Sequence, residues 1–318
     1  MKEKIKKYIL SFWVLFKYLK ITCILFNIKE KLFGYPRLKK MFKKRTGYDL
    51  DLDNPQSFNQ KINWKKIHDR NPLLPVVADK YRVRDYLRSV LGVEEAERIL
   101  IPLLHVTDNP ETIPFDDLPE EYVIKVNHSS GANIIVEKGK PIDRQQIIDQ
   151  CKIWLAQPYG LFKHEWAYQE IDRKIIIEQL LRDENGKIPK DFKFHMINAE
   201  CQMIQVNQGY FADKNARSLT LFDKQWLKYD VFWEYPPADQ VTAPENLDSM
   251  CLLAEKLSQP FDYVRVDLYS IRGRIFFGEL TNYPTSGCAV VKPLSFDFEL
   301  GARWKLTPDY WKMSKNEK

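Results

Sequence analysis

Alternation between apolar and polar positions marks most of the strands in this chain. Tyr122-Val123-Ile124-Lys125-Val126 reads as a strand, followed by the polar loop Asn127-His128-Ser129-Ser130-Gly131-Ala132-Asn133 and a second strand, Ile134-Ile135-Val136. Ile175-Ile176-Ile177 is a further apolar strand that runs into Glu178. Beyond a turn at Asn185-Gly186 two hairpins are predicted, Phe192–Ile197 with Gln202–Asn207 and Tyr263–Tyr269 with Arg274–Leu280. Asn54 to Val90 carries a helical pattern punctuated by Pro55, Pro72 and Pro75, within which Ala78 to Leu87 reads as one polar-faced helix. Ile99 to Leu104 reads as a short apolar strand. Asp143 with Gln146 begins a helix whose buried face is Ile147, Cys151, Trp154 and Leu155, and Pro244 to Ser258 forms another. Strands with helices laid against them, mostly antiparallel, make an α+β body.

Length and composition set bounds on this picture. At 318 residues the chain has room for two or three compact lobes, and 44% hydrophobic with 29% charged residues disfavours a disordered chain, a collagen or a coiled coil. The five cysteines are scattered with no C-x-x-C pair, and the five histidines show no zinc spacing. That pattern suits a reducing compartment, the cytoplasm.

Charge is unevenly placed. Residues 1–46 hold 14 Lys and Arg against Glu3 and Glu30, a net +12, while the other 272 residues hold 35 bases and 41 acids, a net −6. Two lysines, Lys17 and Lys20, interrupt the apolar runs of this arm, which disfavours a membrane span; a small-residue signal cleavage site is also missing. At about 100° per residue, Lys2, Lys6, Lys17 and Lys20 share an arc of about 60°. A basic, aromatic-rich amphipathic helix of this kind is expected at an anionic surface, here the inner face of the plasma membrane. A helix packed on the body with solvated lysines is the plainer alternative. The acidic body argues against a nucleic-acid partner.

Candidate chemistry gathers on the strands. Arg265, Asp267 and Tyr269 share one parity, and a register with Glu279 opposite Arg265 brings Arg265, Asp267 and Glu279 together on one face. Two carboxylates beside one arginine form a candidate divalent-metal site with a cation left for phosphate; a solvent-facing salt bridge is the ordinary alternative. Lys125 ahead of a small-residue loop can hold a polyphosphate, although neither G-x-x-x-x-G-K-[ST] nor G-x-G-x-x-G is present. The segment from Glu178 through Leu180-Leu181-Arg182-Asp183-Glu184 is extended and acidic, suited to a nucleoside. Asp191, Lys193 and His195 alternate onto one face.

In this order the signals resemble the ATP-grasp superfamily. More closely, Ser57-Phe58-Asn59-Gln60-Lys61-Ile62-Asn63-Trp64, Asp69-Arg70-Asn71-Pro72, Ala78-Asp79-Lys80-Tyr81, Ile124-Lys125-Val126-Asn127-His128, Val264-Arg265-Val266-Asp267-Leu268-Tyr269 and Phe277-Gly278-Glu279-Leu280-Thr281 are similar to the TupA-like ATP-grasp family over roughly residues 50 to 300. The resemblance implies an α+β ATP-grasp fold, two lobes clasping a nucleotide. Residues 1–46 would form a basic arm, 47–118 a helical region, 119–180 a mobile lid and 181–318 the lobe carrying the metal site.

By that analogy Asp267 and Glu279 hold Mg²⁺, with Thr281 or Asn282 as a further ligand, and Lys125, Lys193 and Arg265 meet the ATP phosphates under the Ser129-Ser130-Gly131 loop. Glu178, Gln179, Leu180 and Leu181 would contact adenine, with Asp183 or Glu184 on the ribose. The implied reaction activates a carboxylate of a glycan or peptide as an acylphosphate and joins it to an amine, in surface-polysaccharide or teichuronopeptide assembly. His128 is the candidate to take the amine proton. The family's loop is richer in glycine than Ser129 and Ala132 allow, Thr281 stands where the superfamily has Asn, and Thr285 precedes Ser286-Gly287 where glycine is usual. These departures leave a non-catalytic nucleotide-binding protein open. Asp51-Leu52-Asp53, a D-x-D, leaves a metal-dependent glycosyltransferase open as well.

Overall fold

The computed structural model describes residues 25–208 and 217–312. Lys2, Lys6, Lys17 and Lys20, on which the expected arm helix turns, lie outside the described residues. Residues 25–32 are helical and lead into α1 (Pro36–Thr46), α2 (Phe58–His68), α3 (Leu73–Ala78), α4 (Val83–Leu91) and α5 (Val93–Ile99). Two antiparallel sheets follow. The smaller has the order β1-β4-β2-β3, from β1 (Leu103–Thr107), β2 (Tyr122–Val126), β3 (Asn133–Val136) and β4 (Ile175–Gln179), with α6 (Arg144–Ala156) inserted between β3 and β4. The larger has the order β10-β9-β5-β6-β7, from β5 (Asp191–Ile197), β6 (Glu200–Gln208), β7 (Ser218–Phe222), β9 (Tyr263–Ile271) and β10 (Arg274–Thr281). A short pair, β8 (Phe232–Trp233) with β11 (Val291–Lys292), and helices α7 (Leu247–Ser258) and α8 (Leu294–Ala302) complete it.

Strand periodicity of two decides what each sheet covers. In β2, Tyr122, Ile124 and Val126 enter a core with Ile175, Ile177, Ile147 and Cys151, while Val123 and Lys125 face the other way into a cleft. In β5 and β9, Phe192, Phe194, Val264, Val266 and Leu268 enter the main core, and Asp191, Lys193, Arg265, Asp267 and Tyr269 face the same cleft. Tight turns set both hairpins: Asn198 and Ala199 at φ 50° and 62°, Arg272 and Gly273 at 50° and 71°.

Two expected elements differ. Ala78 to Leu87 is not one helix, because α3 ends at Ala78 and Asp79 turns extended at ψ 111°. Its carboxylate accepts the backbone N–H of Tyr81 at 2.8 Å and of Arg82 at 3.3 Å, which favours a local turn over helix continuation. The apolar run from Ile99 splits at Pro102: Ile99 closes α5, and β1 begins at Leu103 within the smaller sheet, upstream of the expected lobe start at 119.

Helix α2 ties these parts together through buried polar groups. Ser57 and Gln60 form a capping box at its start. Asn59 Nδ2 donates to Asp297 at 2.8 Å on α8, Asn63 Nδ2 to Gly287 O at 2.6 Å, and Lys66 Nζ to Ser286 O at 2.8 Å. Lys65, fully buried, donates to Asp69 and to Asp262 beside β9, each at 2.5 Å. Removing Lys65 would leave two buried carboxylates without their cation. Lys65→Met should therefore lower the unfolding free energy by about 3–5 kcal/mol, read by urea denaturation; a loss under about 1 kcal/mol would show that water or a proton replaces the ammonium.

Candidate active site

The polar faces of the two sheets line one cleft of about 1010 Å³. On the larger sheet, Arg265 grips Asp267 with two hydrogen bonds of 2.7 Å, Nε to Oδ1 and Nη2 to Oδ2. Lys193, paired with Asp267 in register, donates to Asp267 Oδ2 at 2.5 Å and also to Asp191. Burial alone would lower the Lys193 ammonium and Arg265 guanidinium, but their carboxylates outweigh it and both are raised. Asp191 is raised, first by burial and then by the neighbouring Asp267 charge.

Glu279 does not face Arg265 as alternation predicts. It pairs with Asp267, and Thr281 takes the place opposite Arg265, because β10 shifts register between Phe277 and Glu279. Phe277 thereby enters the core while Glu279 still reaches the cleft. Gly278 makes the bulge possible: a Cβ there would lie 3.0 Å from Asp267 O and 3.2 Å from the Tyr269 ring. Thr281 Oγ1 donates to Glu279 Oε1 at 2.9 Å and accepts from Arg265 at 2.9 Å. Burial would raise the Glu279 carboxyl, yet Lys80, Arg265 and Lys193 overcome it and hold it at about 2.

The smaller sheet contributes Lys125, whose Nζ meets Glu178 Oε2 at 2.8 Å, and the loop Ser129, Ser130 and Gly131. Gln179, Leu180, Leu181 and Asp183 line the cleft where the chain passes between the sheets. Asp183 Oδ1 also accepts the N–H of Asn185 and of Lys187, shaping the turn there. Lys80 bridges the two sides, donating to Ser129 O at 2.6 Å and standing 3.5 Å from Glu279 Oε2.

Four expected roles do not match this geometry. His128 is 1% exposed and absent from the cleft lining; burial, then Arg173 and Lys80, push it down to about 4, which leaves it neutral and only weakly basic. Asn282, alternating with Thr281, is fully buried, donates to Leu74 O at 2.9 Å on α3 and is absent from the cleft lining. Glu184 is exposed at the turn, outside the lining. In the D-x-D, Asp51 Oδ1 accepts the N–H of Asp53 and Asn54, both at 2.9 Å, and Leu52 is buried with α1; the triplet builds a loop remote from the cleft lining.

The sequence reading passed over Lys80 and Gln205 as site residues. Gln205 pairs with Lys193 and lines the cleft, as its alternation with Asn207 along β6 would have indicated. Lys80 lies in a break between helices, where periodicity gives no direction.

Asp267, Glu279 and Thr281 could hold a divalent ion. Mg²⁺ in phosphate-transfer sites takes one or two carboxylates and completes its shell with water and substrate phosphate. Two carboxylates paired across β9 and β10, with a hydroxyl beside them, fit that requirement. Among the described residues no cluster of three or more His, Cys, Asp or Glu side chains is arranged for a metal, so an ion here would share its shell with a bound phosphate.

Residues 60–305 match the family model described as TupA-like ATPgrasp, and the chain belongs to that family. Its fold is accordingly the α+β ATP-grasp fold. Among solved structures, D-alanine–D-alanine ligase from Helicobacter pylori is similar with a TM-score of 0.40 and 11% identity over 80% of this chain and 70% of that one. The ATP-grasp ligase PsnB, complexed with a phosphomimetic variant of its minimal precursor, Mg and ADP, gives 0.39 and 13% over 74% and 61%. D-alanine–D-alanine ligase from Bacillus anthracis, complexed with ATP, gives 0.35 and 15% over 65% and 54%, so this chain spans about half of that ligase's length. No curated protein matches by sequence.

Burial also gives the site a measurable acid response. His195, fully buried beside the cleft between Tyr263 and Gln205, is pushed down to about 3 by burial and by the Arg265 charge. It stays neutral when folded, whereas the unfolded chain takes up its proton below about pH 6.5. Its contribution to stability is complete above pH 6.5 and is lost as pH falls toward about 3. His195→Gln should reduce the slope of unfolding free energy against pH between about 6.5 and 4 by up to about 1.4 kcal/mol per pH unit. Chemical denaturation of both chains across that range checks it, and identical slopes would place the proton elsewhere.

Proposed function

We propose that this protein is an ATP- and Mg²⁺-dependent ligase that activates a carboxylate as an acylphosphate and joins it to an amine. The observation that carries this reading is the convergence of Asp267, Glu279, Lys193 and Arg265 from one sheet and Lys125 with the Ser129–Gly131 loop from the other on one cleft. Membership of the TupA-like ATP-grasp family supports it.

The nucleoside would lie along Gln179, Leu180, Leu181 and Asp183, where an apolar wall meets a carboxylate able to accept ribose hydroxyls. Lys125 and Lys193 would meet the phosphates, with backbone N–H groups of the loop beside them. Asp267 and Glu279 would hold Mg²⁺, which would supply charge neutralisation on the phosphate oxygens. Arg265 keeps Asp267 in place with a bidentate grip and presents its own charge to the transferring group.

The acceptor carboxylate, already ionised at neutral pH, attacks the γ-phosphorus; the bond to the bridging oxygen breaks and ADP leaves. The amine then attacks the acylphosphate carbon, forming the amide bond and releasing phosphate, which carries away the amine proton. Closing the two sheets around this intermediate excludes water. The acceptor we assign is a glycan or peptide carboxylate of a cell-surface polymer, in keeping with the teichuronopeptide and polysaccharide setting of the family.

Turnover separates this reading from its rivals. Asp267→Asn and Glu279→Gln should each lower acceptor- and amine-dependent ADP release by about 10²-fold or more, with Asp51→Asn unchanged. Full activity in both metal-site variants would overturn it. UDP-sugar hydrolysis sensitive to Asp51→Asn would favour a glycosyltransferase, and ATP binding without turnover a non-catalytic protein.

A further inference from the structure

The helical run 25–32 packs on the body with the wrong face for a globular helix. Its inward positions are Phe26, Asn27 and Glu30; Leu25, Ile28 and Leu32 point outward at 61, 51 and 76% exposure, and Phe33 follows at 68%. The inward contacts are specific. Asn27 Nδ2 donates to Leu161 O at 3.0 Å, Phe26 meets Phe162 at 6.2 Å between ring centroids, and the Arg37 guanidinium lies 4.9 Å over Phe26. Glu30 accepts the N–H groups of Arg37 and Leu38, each at 3.2 Å, at the start of α1. This anchors the helix in a fixed orientation, so its apolar stripe is held outward by bonds made elsewhere.

The exposed charge of the segment that carries that stripe has one sign. Residues 25–46 contain Lys29, Lys31, Arg37, Lys39, Lys40, Lys43, Lys44 and Arg45, and their one acid, Glu30, is buried in the α1 cap. Of those cations only Lys43 and Arg45 meet a carboxylate among the described residues, Asp49 and Glu234. Phe162, 48% exposed, and Met41, 40% exposed, add to the apolar surface. Among the described residues no helix is long and apolar enough to cross a membrane.

We propose that Leu25, Ile28, Leu32 and Phe33, with the exposed Lys29, Lys31, Lys39, Lys40 and Lys44 of the same segment, dock on an anionic lipid bilayer. The apolar stripe enters the headgroup boundary while the lysines meet lipid phosphates, the arrangement expected of an interfacial helix. The body, net negative beyond residue 46, is repelled by the same surface and stays on its aqueous side. A soluble protein partner fits less well, because a protein interface core is depleted of lysine, whereas here the exposed Lys29 and Lys31 interleave with the stripe.

The test uses the full chain with vesicles of phosphatidylcholine alone or with phosphatidylglycerol added. Co-sedimentation should require the anionic lipid and weaken as salt is raised. The triple variant Leu25→Glu, Ile28→Glu, Leu32→Glu and, separately, Lys39→Glu with Lys40→Glu should each reduce the bound-to-free ratio about tenfold or more, with thermal unfolding midpoints unchanged. Pelleting of the triple variant equal to that of the parent chain would overturn the proposal. So would a concentration-dependent dimer, formed without vesicles and lost in the triple variant, since the stripe would then be a self-association surface.

Discussion

The Arg265–Asp267 pair is the fixed point of this cleft. Both groups stand on β9, between β10 and β5, and the opposite face of that strand buries Val264, Val266 and Leu268 in the main core. Lys193 from β5 and Glu279 with Thr281 from β10 reach the same two side chains, so three adjacent strands are locked in register by charge as well as by their backbone ladder. Removing any one of these groups would strand another in a low-dielectric setting. The geometry that suits the site to phosphate is therefore also what keeps the middle of the larger sheet aligned.

Support for that arrangement comes from behind the sheet. Helix α2 buries Asn59, Asn63, Lys65 and Lys66, residue types that normally face water, and each reaches a backbone or carboxylate oxygen on a segment flanking β9 or β10. The segment after β10 needs this help. Thr285, Ser286 and Gly287 run through left-handed conformations at φ 48°, 55° and 67°, which cost free energy for the two residues with side chains. Asn63 and Lys66 bond to Gly287 and Ser286, holding the strained turn beside the cleft.

Much of this was readable in the chain. The parity of Val264 to Tyr269 and of Asp191 to His195 correctly assigned polar faces, because one-sided burial forces a strict period of two. Glu279 reaches the cleft opposite Asp267, not Arg265, because Gly278 carries no side chain to declare a face and the bulge it permits is silent in the pattern. Asn282 and His128 lie off the cleft lining although their polarity suggests access to it. Both are polar groups enclosed by packing from elements distant in sequence, which periodicity within a strand or loop does not reveal. Asp79 concealed a break because its carboxylate competes for backbone N–H groups that a helix pattern assumes are bonded within the helix.

Ion pairing among the side chains of the cleft has a further thermodynamic consequence. Lys125 faces Glu178, Lys193 faces Asp191 and Asp267, Lys80 faces Glu279, so the cations placed nearest the proposed phosphate site each already have an anion. A charged ligand entering here exchanges partners with these groups and does not neutralise an open field of one sign. Fewer small ions are displaced into solution by such an exchange than by binding to an unpaired basic groove, and long-range attraction toward the cleft is correspondingly weak. Recognition then falls to short-range fit, and the protein can tolerate wide changes in ionic strength at the site itself.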